Sequence, residues 1–167
     1  MNEINRLQLH LTEMKQIYNS RIISDPMHPC KQFRKAAFTQ LFIDLRDSMY
    51  IIKKTGYVFN EYQDIIHMEK SDGYDCKVEN IYDAITFIRN ASCHPESFKN
   101  NINKNITFSF NTVSGKGTIG IVNDVNIESQ YDDDIAIFYG PQRIYYKRHI
   151  GKILKEIEDF MISYNKK

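Results

Sequence analysis

Several sequence features are scarce in this chain. It has no tryptophan, four prolines and three cysteines in 167 residues, and no apolar run approaches the ~18 residues of a membrane-spanning helix. The N-terminal segment MNEINRLQLHL is too polar for a signal-peptide core, so we expect a cytoplasmic protein with no membrane partner. Cys30, Cys76 and Cys93 are odd in number and scattered, which argues against a disulfide framework and predicts free thiols.

The chain also lacks an excess of charge of either sign. Its 22 lysines and arginines nearly balance 21 aspartates and glutamates, which leaves a formal net charge of +1. No broad electrostatic field attracts nucleic acid, so any such contact has to be local. A hydrophobic content of 42% supplies core material, and the length suits a single domain over residues 1–167.

Four segments carry apolar residues at the spacing of a helix. They predict a first helix from about Asn2 to Ile23, a second from Pro29 to the cap position Gly56, a third from Asn80 to His94 and a last from about Gln142 to Asn165. The first two helices are joined by a short Pro-containing link, which favours an antiparallel pair. The predicted fold is mainly α, an antiparallel four-helix bundle with a small β-hairpin inserted between the third and last main helices.

The hairpin prediction depends on the segment after Pro95. Ile106, Phe108 and Phe110 alternate with polar residues, and Ser114-Gly115 lies between two β-prone runs. Residues 134–139 predict a third short strand, which ends at Gly140-Pro141. Asn60 to Met68 is weakly typical of a further short helix, which Ser71-Asp72-Gly73 ends.

Two sequence patterns resemble ligand sites but fit other structures better. Gly115 to Val122 matches glycine-rich phosphate-binding patterns, yet strand-forming residues follow the glycines and favour a hairpin turn. His28 with Cys30, or Cys93 with His94, has no second pair at zinc-ligand spacing. Cys93 as a nucleophile has no orienting third group in the sequence. We therefore expect no metal and no cofactor.

A basic cluster lies at the start of the predicted last helix. Arg143, Lys147 and Arg148 are interleaved with tyrosines, and such residues can follow a phosphate backbone and stack on bases. We treat these three as candidate substrate-binding residues. A solvated helix face is the alternative, and the run of aspartates at 132–134 offsets part of the positive charge.

The residues with the clearest chemistry end the third helix. Arg89, Asn90 and His94 stand in the run RNASCH, and Pro95 pushes His94 out of the helical conformation. An imidazole that exchanges protons near neutral pH and a permanently charged guanidinium that holds a phosphate are the minimum for RNA cleavage without a metal. The alternative is a structural arginine paired to a carboxylate and a hydrogen-bonded loop histidine.

The run RNASCH resembles the R-X4-6-H motif of HEPN domains, small helical-bundle proteins that include ribonuclease toxins and antiphage factors. Asn90 directly follows the arginine, as in many members. The longer run DAITFIRNASCH and the late segment IFYGPQRIYYKRHI look most similar to a HEPN subgroup of bacterial defence and mobile-element genes. The chain has Pro95-Glu96 where some members have a tyrosine after the histidine.

This resemblance implies a metal-independent endoribonuclease that acts as a homodimer on RNA. His94 would be the general acid or base, Arg89 would stabilise charge on the phosphate, and Asn90 would orient the phosphate or the histidine. It also implies a role in bacterial defence or a toxin–antitoxin pair, with an antitoxin or defence-system partner. Two alternatives remain open. One is a non-catalytic HEPN module that dimerises or binds a nucleotide or partner, and the other is an RNA-binding adaptor that uses the basic segment Arg143 to Lys152.

Overall fold

The computed structural model describes residues 2–67, 78–94, 96–103, 106–107, 109–122 and 125–165. The chain divides into two compact units, one of Met1–Asn60 with Ile150–Lys167 and one of Glu61–His149. The predictions that depend on Cys76, Pro95, Phe108 and residues 71–73 lie outside the described residues. The expectation of a single domain stays a prediction.

The described residues form four α-helices; the first and third are close to their predicted positions, and the second and last begin later than predicted. The helices are α1 (Glu3–Ser20), α2 (Arg34–Lys53), α3 (Ile81–Cys93) and α4 (Lys152–Tyr164). Asn2 caps α1 by accepting hydrogen bonds from two backbone N–H groups, and Arg21 ends it in the left-handed region with φ 61°. None of the helices of the described residues is long and apolar enough to cross a membrane.

Helix α2 begins later than its proline signal predicted. A 3₁₀ turn at Lys31–Phe33 comes before it, so the helix starts at Arg34 rather than at Pro29. The Arg34 guanidinium donates hydrogen bonds to the carbonyls of Ile22 and Asp25 at 3.2 and 2.8 Å. These bonds tie the start of α2 to the link that precedes it, which accounts for the delayed entry into the helix.

The first unit is helical. It contains α1, α2 and α4, and its core is made by the apolar faces that the helical spacing predicted. Fully buried members include Leu7, Met14, Phe38, Leu41, Leu45, Met49, Ile153 and Ile157.

The second unit combines α3 with β-structure. Its main sheet is antiparallel and has the strand order β1-β8-β7-β4, with β1 at Ile66–His67, β4 at Asn111–Ser114, β7 at Ile135–Tyr139 and β8 at Gln142–Tyr145. Strands β2 (Asn101–Asn103) and β3 (Ile106–Thr107) form one small sheet, and β5 (Gly117–Val122) and β6 (Val125–Ser129) form another. The core of the second unit contains a cluster of buried residues: Ile102, Ile127, Ala136, Phe138 and Tyr145.

The predicted four-helix bundle is therefore wrong, because the described residues form an α+β fold. The helical spacing of Tyr146, Ile150 and Ile153 suggested a last helix from Gln142. The residues from Gln142 to Tyr145 instead pair with β7, a π-helical turn covers Tyr146–Gly151, and α4 begins only at Lys152. Strand β7 pairs with β8, which follows it directly in sequence. This pairing outweighs the weaker local preference of Gln142 to Tyr145 for a helix.

The inserted hairpin also differs from its prediction. The strand at 135–139 is confirmed as β7, but β4 pairs with β7 rather than with the strand that follows the Ser114-Gly115 turn. The glycine-rich run lies in this turn and in β5, with φ 76° at Gly115. The predicted hairpin turn is wrong here, because β4 and β5 belong to different sheets and do not pair. The short helix predicted from Asn60 is wrong for its described part, since β1 forms at Ile66–His67.

Candidate functional site at the end of helix α3

Helix α3 is fixed at both ends by its own sequence. The Asn80 side chain accepts a hydrogen bond from the backbone N–H of Asp83 at 3.0 Å, and the Asp83 carboxylate accepts one from the N–H of Glu79 at 3.2 Å. These two side-chain contacts fix the start of the helix. Ile81, Ala84, Ile85 and Ile88 lie buried on one face. Arg89 and Asn90 consequently lie in the last turns, beside the buried face.

Arg89 is a half-buried cation. Its Nη1 donates a hydrogen bond to Oδ1 of Asn90 at 3.1 Å, while its Nε is buried and makes no hydrogen bond within the described part of the chain. No carboxylate of the described residues lies within 4.0 Å of the guanidinium. Among the described residues, Arg89 is therefore not neutralised by an acidic side chain, which was the structural alternative. Asn90 instead holds the guanidinium by a neutral contact.

His94 stands where the helix ends. Its backbone N–H donates to the Asn90 carbonyl at 3.2 Å, and its φ of −125° and ψ of 86° take the chain out of the helix. The side chain is exposed, and its ring makes no hydrogen bond to any residue that the structure describes. The imidazole is thus open to proton exchange with a bound molecule.

Asn100 fixes the chain that follows His94. Its side chain is buried, and its amide Nδ2 donates to the carbonyls of Ala91 at 3.1 Å and of His94 at 3.0 Å. These carbonyls belong to the end of α3, which has no helical partners for them. The neighbouring Lys99 carbonyl lies against Gly140 in the β7–β8 turn, where a Cβ would be 2.0 Å from the oxygen. His94 is therefore held by contacts on its C-terminal side.

Sequence reasoning missed the roles of Asn100 and Gly140. Asn100 stands in an asparagine-rich stretch that offers no signal to separate it from its neighbours. Gly140-Pro141 was interpreted only as the end of a strand, although a Gly-Pro pair between two β-prone runs also indicates a tight turn.

Tyr139 and Cys93 lie near the same helix end. Burial, with a smaller contribution from Cys93, raises the pKa of Tyr139 to about 12. The phenol therefore keeps its proton at neutral pH. Cys93 is a half-buried free thiol, as the cysteine pattern predicted, and Cys30 is an exposed one.

The structure places the basic cluster in β8 and the π-helical turn. Arg143 is 2% exposed, and its Nη1 donates to the carbonyl of Glu128 at 2.7 Å. The Arg148 guanidinium is 2.9 Å from a carboxylate oxygen of Asp133 and 3.2 Å from one of Asp134. A hydrogen bond from Arg148 lowers the pKa of Asp133. The aspartate run therefore neutralises part of the cluster, as its sequence position suggested.

Lys147 is held in the same way. Its ammonium donates to the Asp133 carbonyl, and its backbone N–H donates to the Asp134 carboxylate at 2.8 Å. No hydrogen bond or ion pair of the described residues joins Arg143, Lys147 or Arg148 to the end of α3. The two sets of predicted site residues thus stand as separate groups.

The sequence predicts that neither His28 with Cys30 nor Cys93 with His94 binds a metal, and this stays a prediction. Within the described ranges, neither His28 with Cys30 nor Cys93 with His94 belongs to a group of three metal-ligating side chains. His28 instead accepts a hydrogen bond from the backbone N–H of Cys30 at 3.1 Å.

Comparison with known proteins gave no match: no family model fits the chain, and no curated protein or solved structure is significantly similar to it. Inference about function therefore depends on the chemistry of the residues at the end of α3.

Proposed function

We propose that this protein is a metal-independent endoribonuclease of the HEPN type, in which Arg89 and His94 form a site completed by a second copy of the chain. The observation that carries the proposal is the state of these two side chains. A guanidinium without a carboxylate neighbour among the described residues stands on the same helix end as an exposed imidazole. This pair offers a charge for phosphate and a group for proton transfer.

The reaction would be a transesterification within RNA. His94 of one copy accepts the proton of the ribose 2′-hydroxyl, and the 2′-oxygen attacks the adjacent phosphorus. The bond from phosphorus to the 5′-oxygen breaks, and this oxygen takes a proton from His94 of the second copy. The products are a 2′,3′-cyclic phosphate and a 5′-hydroxyl, so atoms and protons balance without a metal.

Arg89 would stabilise the charge that grows on the non-bridging phosphate oxygens. Its free donors suit these oxygens, since a guanidinium presents several N–H groups in one plane. Asn90 accepts one of these N–H groups at 3.1 Å, which limits the rotation of the guanidinium. Asn90 is therefore proposed as a positioning residue for Arg89. A role in bacterial defence or with an antitoxin follows from the motif resemblance alone and belongs to the same proposal.

The test is cleavage of a mixed RNA pool by purified protein in EDTA. We expect the wild-type chain to form cyclic-phosphate ends, and Arg89→Ala and His94→Ala to lose about 10²- to 10⁴-fold in rate. Arg21→Ala and His28→Ala are the matched controls, because they remove the same residue types outside the site and should leave the rate unchanged. Circular dichroism confirms that each variant is folded.

Each outcome assigns the function. Cleavage that is unchanged in both site variants would overturn the proposal. RNA or nucleotide binding without cleavage, together with a dimer in mass photometry, would support the non-catalytic module instead. Binding that is lost on charge reversal at Lys147 and Arg148, but kept in Arg89→Ala, would support the adaptor.

A further inference from the structure

A second group of polar side chains lies between α1 and α2 in the first unit. His10 and Glu13 are one helical turn apart on α1, so they share a face, and Asp44 faces them from α2. One potential ligand atom from each of the three residues lies within 4.8 Å of the other two. None of these residues was singled out by the sequence patterns, because Asp44 is distant in sequence from the other two.

Asp44 is a buried carboxylate, only 1% exposed. Its two oxygens accept hydrogen bonds from Nε2 of Gln40 at 3.0 and 3.1 Å, and Oδ1 is 2.7 Å from Nδ1 of His10. No lysine or arginine of the described part of the chain lies within 4.0 Å of this carboxylate. A buried charge of this kind is costly unless a cation or a metal compensates it.

His10 lies between Asp44 and Arg6. Its Nδ1 is 2.7 Å from Oδ1 of Asp44, and Nε of Arg6 donates a hydrogen bond to its Nε2 at 3.1 Å. The imidazole therefore contacts the buried carboxylate directly, whereas the Arg6 guanidinium contacts the other ring nitrogen.

Glu13 adds a second carboxylate to the same place. It is half-buried, and among the residues that the structure describes it makes no hydrogen bond or ion pair. The group thus holds two acidic side chains and one imidazole, and no lysine or arginine of the described residues is paired with either acid.

We propose that His10, Glu13 and Asp44 bind one divalent transition-metal ion, of the class of Zn²⁺, Co²⁺ or Ni²⁺. A doubly charged ion balances the two carboxylates. Ligand atoms at 2.0–2.2 Å from one tetrahedral zinc ion lie roughly 3.3–3.6 Å apart. The His10 and Asp44 atoms, now 2.7 Å apart, would therefore separate, and ligand atoms up to 4.8 Å apart would approach each other, both by side-chain rotation. The imidazole favours a transition metal over Mg²⁺ or Ca²⁺, which prefer oxygen ligands.

Binding would replace the contact between His10 and Asp44 by one bond from each side chain to the ion. Gln40 keeps Asp44 in place by its amide hydrogen bonds, as outer partners of metal ligands commonly do. The ion would join α1 to α2, and it involves neither Arg89 nor His94.

The test is calorimetric titration of the full-length protein, first stripped with EDTA and then dialysed, with ZnCl₂ in an excess of Mg²⁺. We expect one Zn²⁺ per chain and a higher melting temperature with the ion bound. The absorption bands of a Co²⁺-loaded sample report on its coordination. Glu13→Gln, His10→Gln and Asp44→Asn should each weaken binding by about tenfold or more.

The control is the double variant His28→Gln with Cys30→Ser, which removes another imidazole and an exposed thiol and should bind as the wild type does. No binding by the wild-type chain would overturn the proposal. So would an affinity that Glu13→Gln leaves unchanged, or that only the control variant loses. Glu13 is half-buried and makes no hydrogen bond or ion pair with the described residues, so Glu13→Gln keeps the proposal testable even where Asp44→Asn does not fold.

Discussion

Replacing Gly140 by alanine tests whether the β7–β8 turn positions His94. Gly140 has φ 52°, in the left-handed region, and an added Cβ would lie 2.0 Å from the Lys99 carbonyl oxygen. The left-handed conformation costs a residue with a Cβ about 1–2 kcal/mol. The contact requires the 3₁₀ turn of Phe98–Asn100 to move by roughly 1 Å, and such overpacking costs about 1–3 kcal/mol more.

This displacement should reach the proposed site through Asn100. The Asn100 amide bonds the carbonyls of Ala91 and His94, so a shift of the 3₁₀ turn moves or breaks the contacts at the end of α3. A misplacement of about 1 Å can lower a reaction rate by about 10²-fold. We therefore expect Gly140→Ala to lose about 2–5 kcal/mol in the free energy of unfolding and about 10²-fold in RNA cleavage.

Gly115→Ala is the matched control, because it shares the strain but not the clash. Gly115 has φ 76°, and the nearest atom to an added Cβ, the Asp132 carbonyl oxygen, is at an ordinary 3.6 Å. We expect a loss of about 1–2 kcal/mol and no change in cleavage. Urea unfolding gives the free energies, and cleavage is measured in EDTA well below each melting temperature. Equal stabilities of the two variants, or wild-type cleavage by folded Gly140→Ala, would refute the reasoning.

Two further predictions concern hydrogen bonds and pH. Asn100→Ala removes the donors to the carbonyls at the end of α3 and should lower the free energy of unfolding by about 1–3 kcal/mol in urea; an unchanged value would show that water replaces the amide. The hydrogen bond from Lys15 lowers the pKa of Glu158 below its usual 4.5, so the stabilisation is present above pH 4.5 and is lost as the pH falls through the folded-state pKa. Glu158→Gln should accordingly be less stable than the wild type at pH 7 and equally stable in strong acid, and a stability difference that does not depend on pH would contradict this assignment.

Local signals were enough to predict α3 and to name candidate residues at its end. The apolar spacing and the proline after His94 act within one or two helical turns, so the sequence alone indicates where the helix lies and where it ends. The same holds for the limits of α1 and for β7. The candidate site residues Arg89, Asn90 and His94 could be named because their spacing and their neighbours in sequence carry the information.

The rest was decided by contacts that the helical spacing does not show, most of them between residues distant in sequence. Gln142 to Tyr145 form a strand because they pair with the preceding strand β7 and with the distant strand β1, which outweighs a helical spacing that continues through Tyr146. Arg143 is buried because β8 lies inside the sheet, and no property of its neighbours in sequence predicts this. His10 and Asp44 meet only because α1 and α2 pack together. Sequence thus determined the elements whose stabilising partners lie within a few residues, and the tertiary structure decided strand pairing, burial of charge and the grouping of ligands, because each requires a partner that the local chain does not contain.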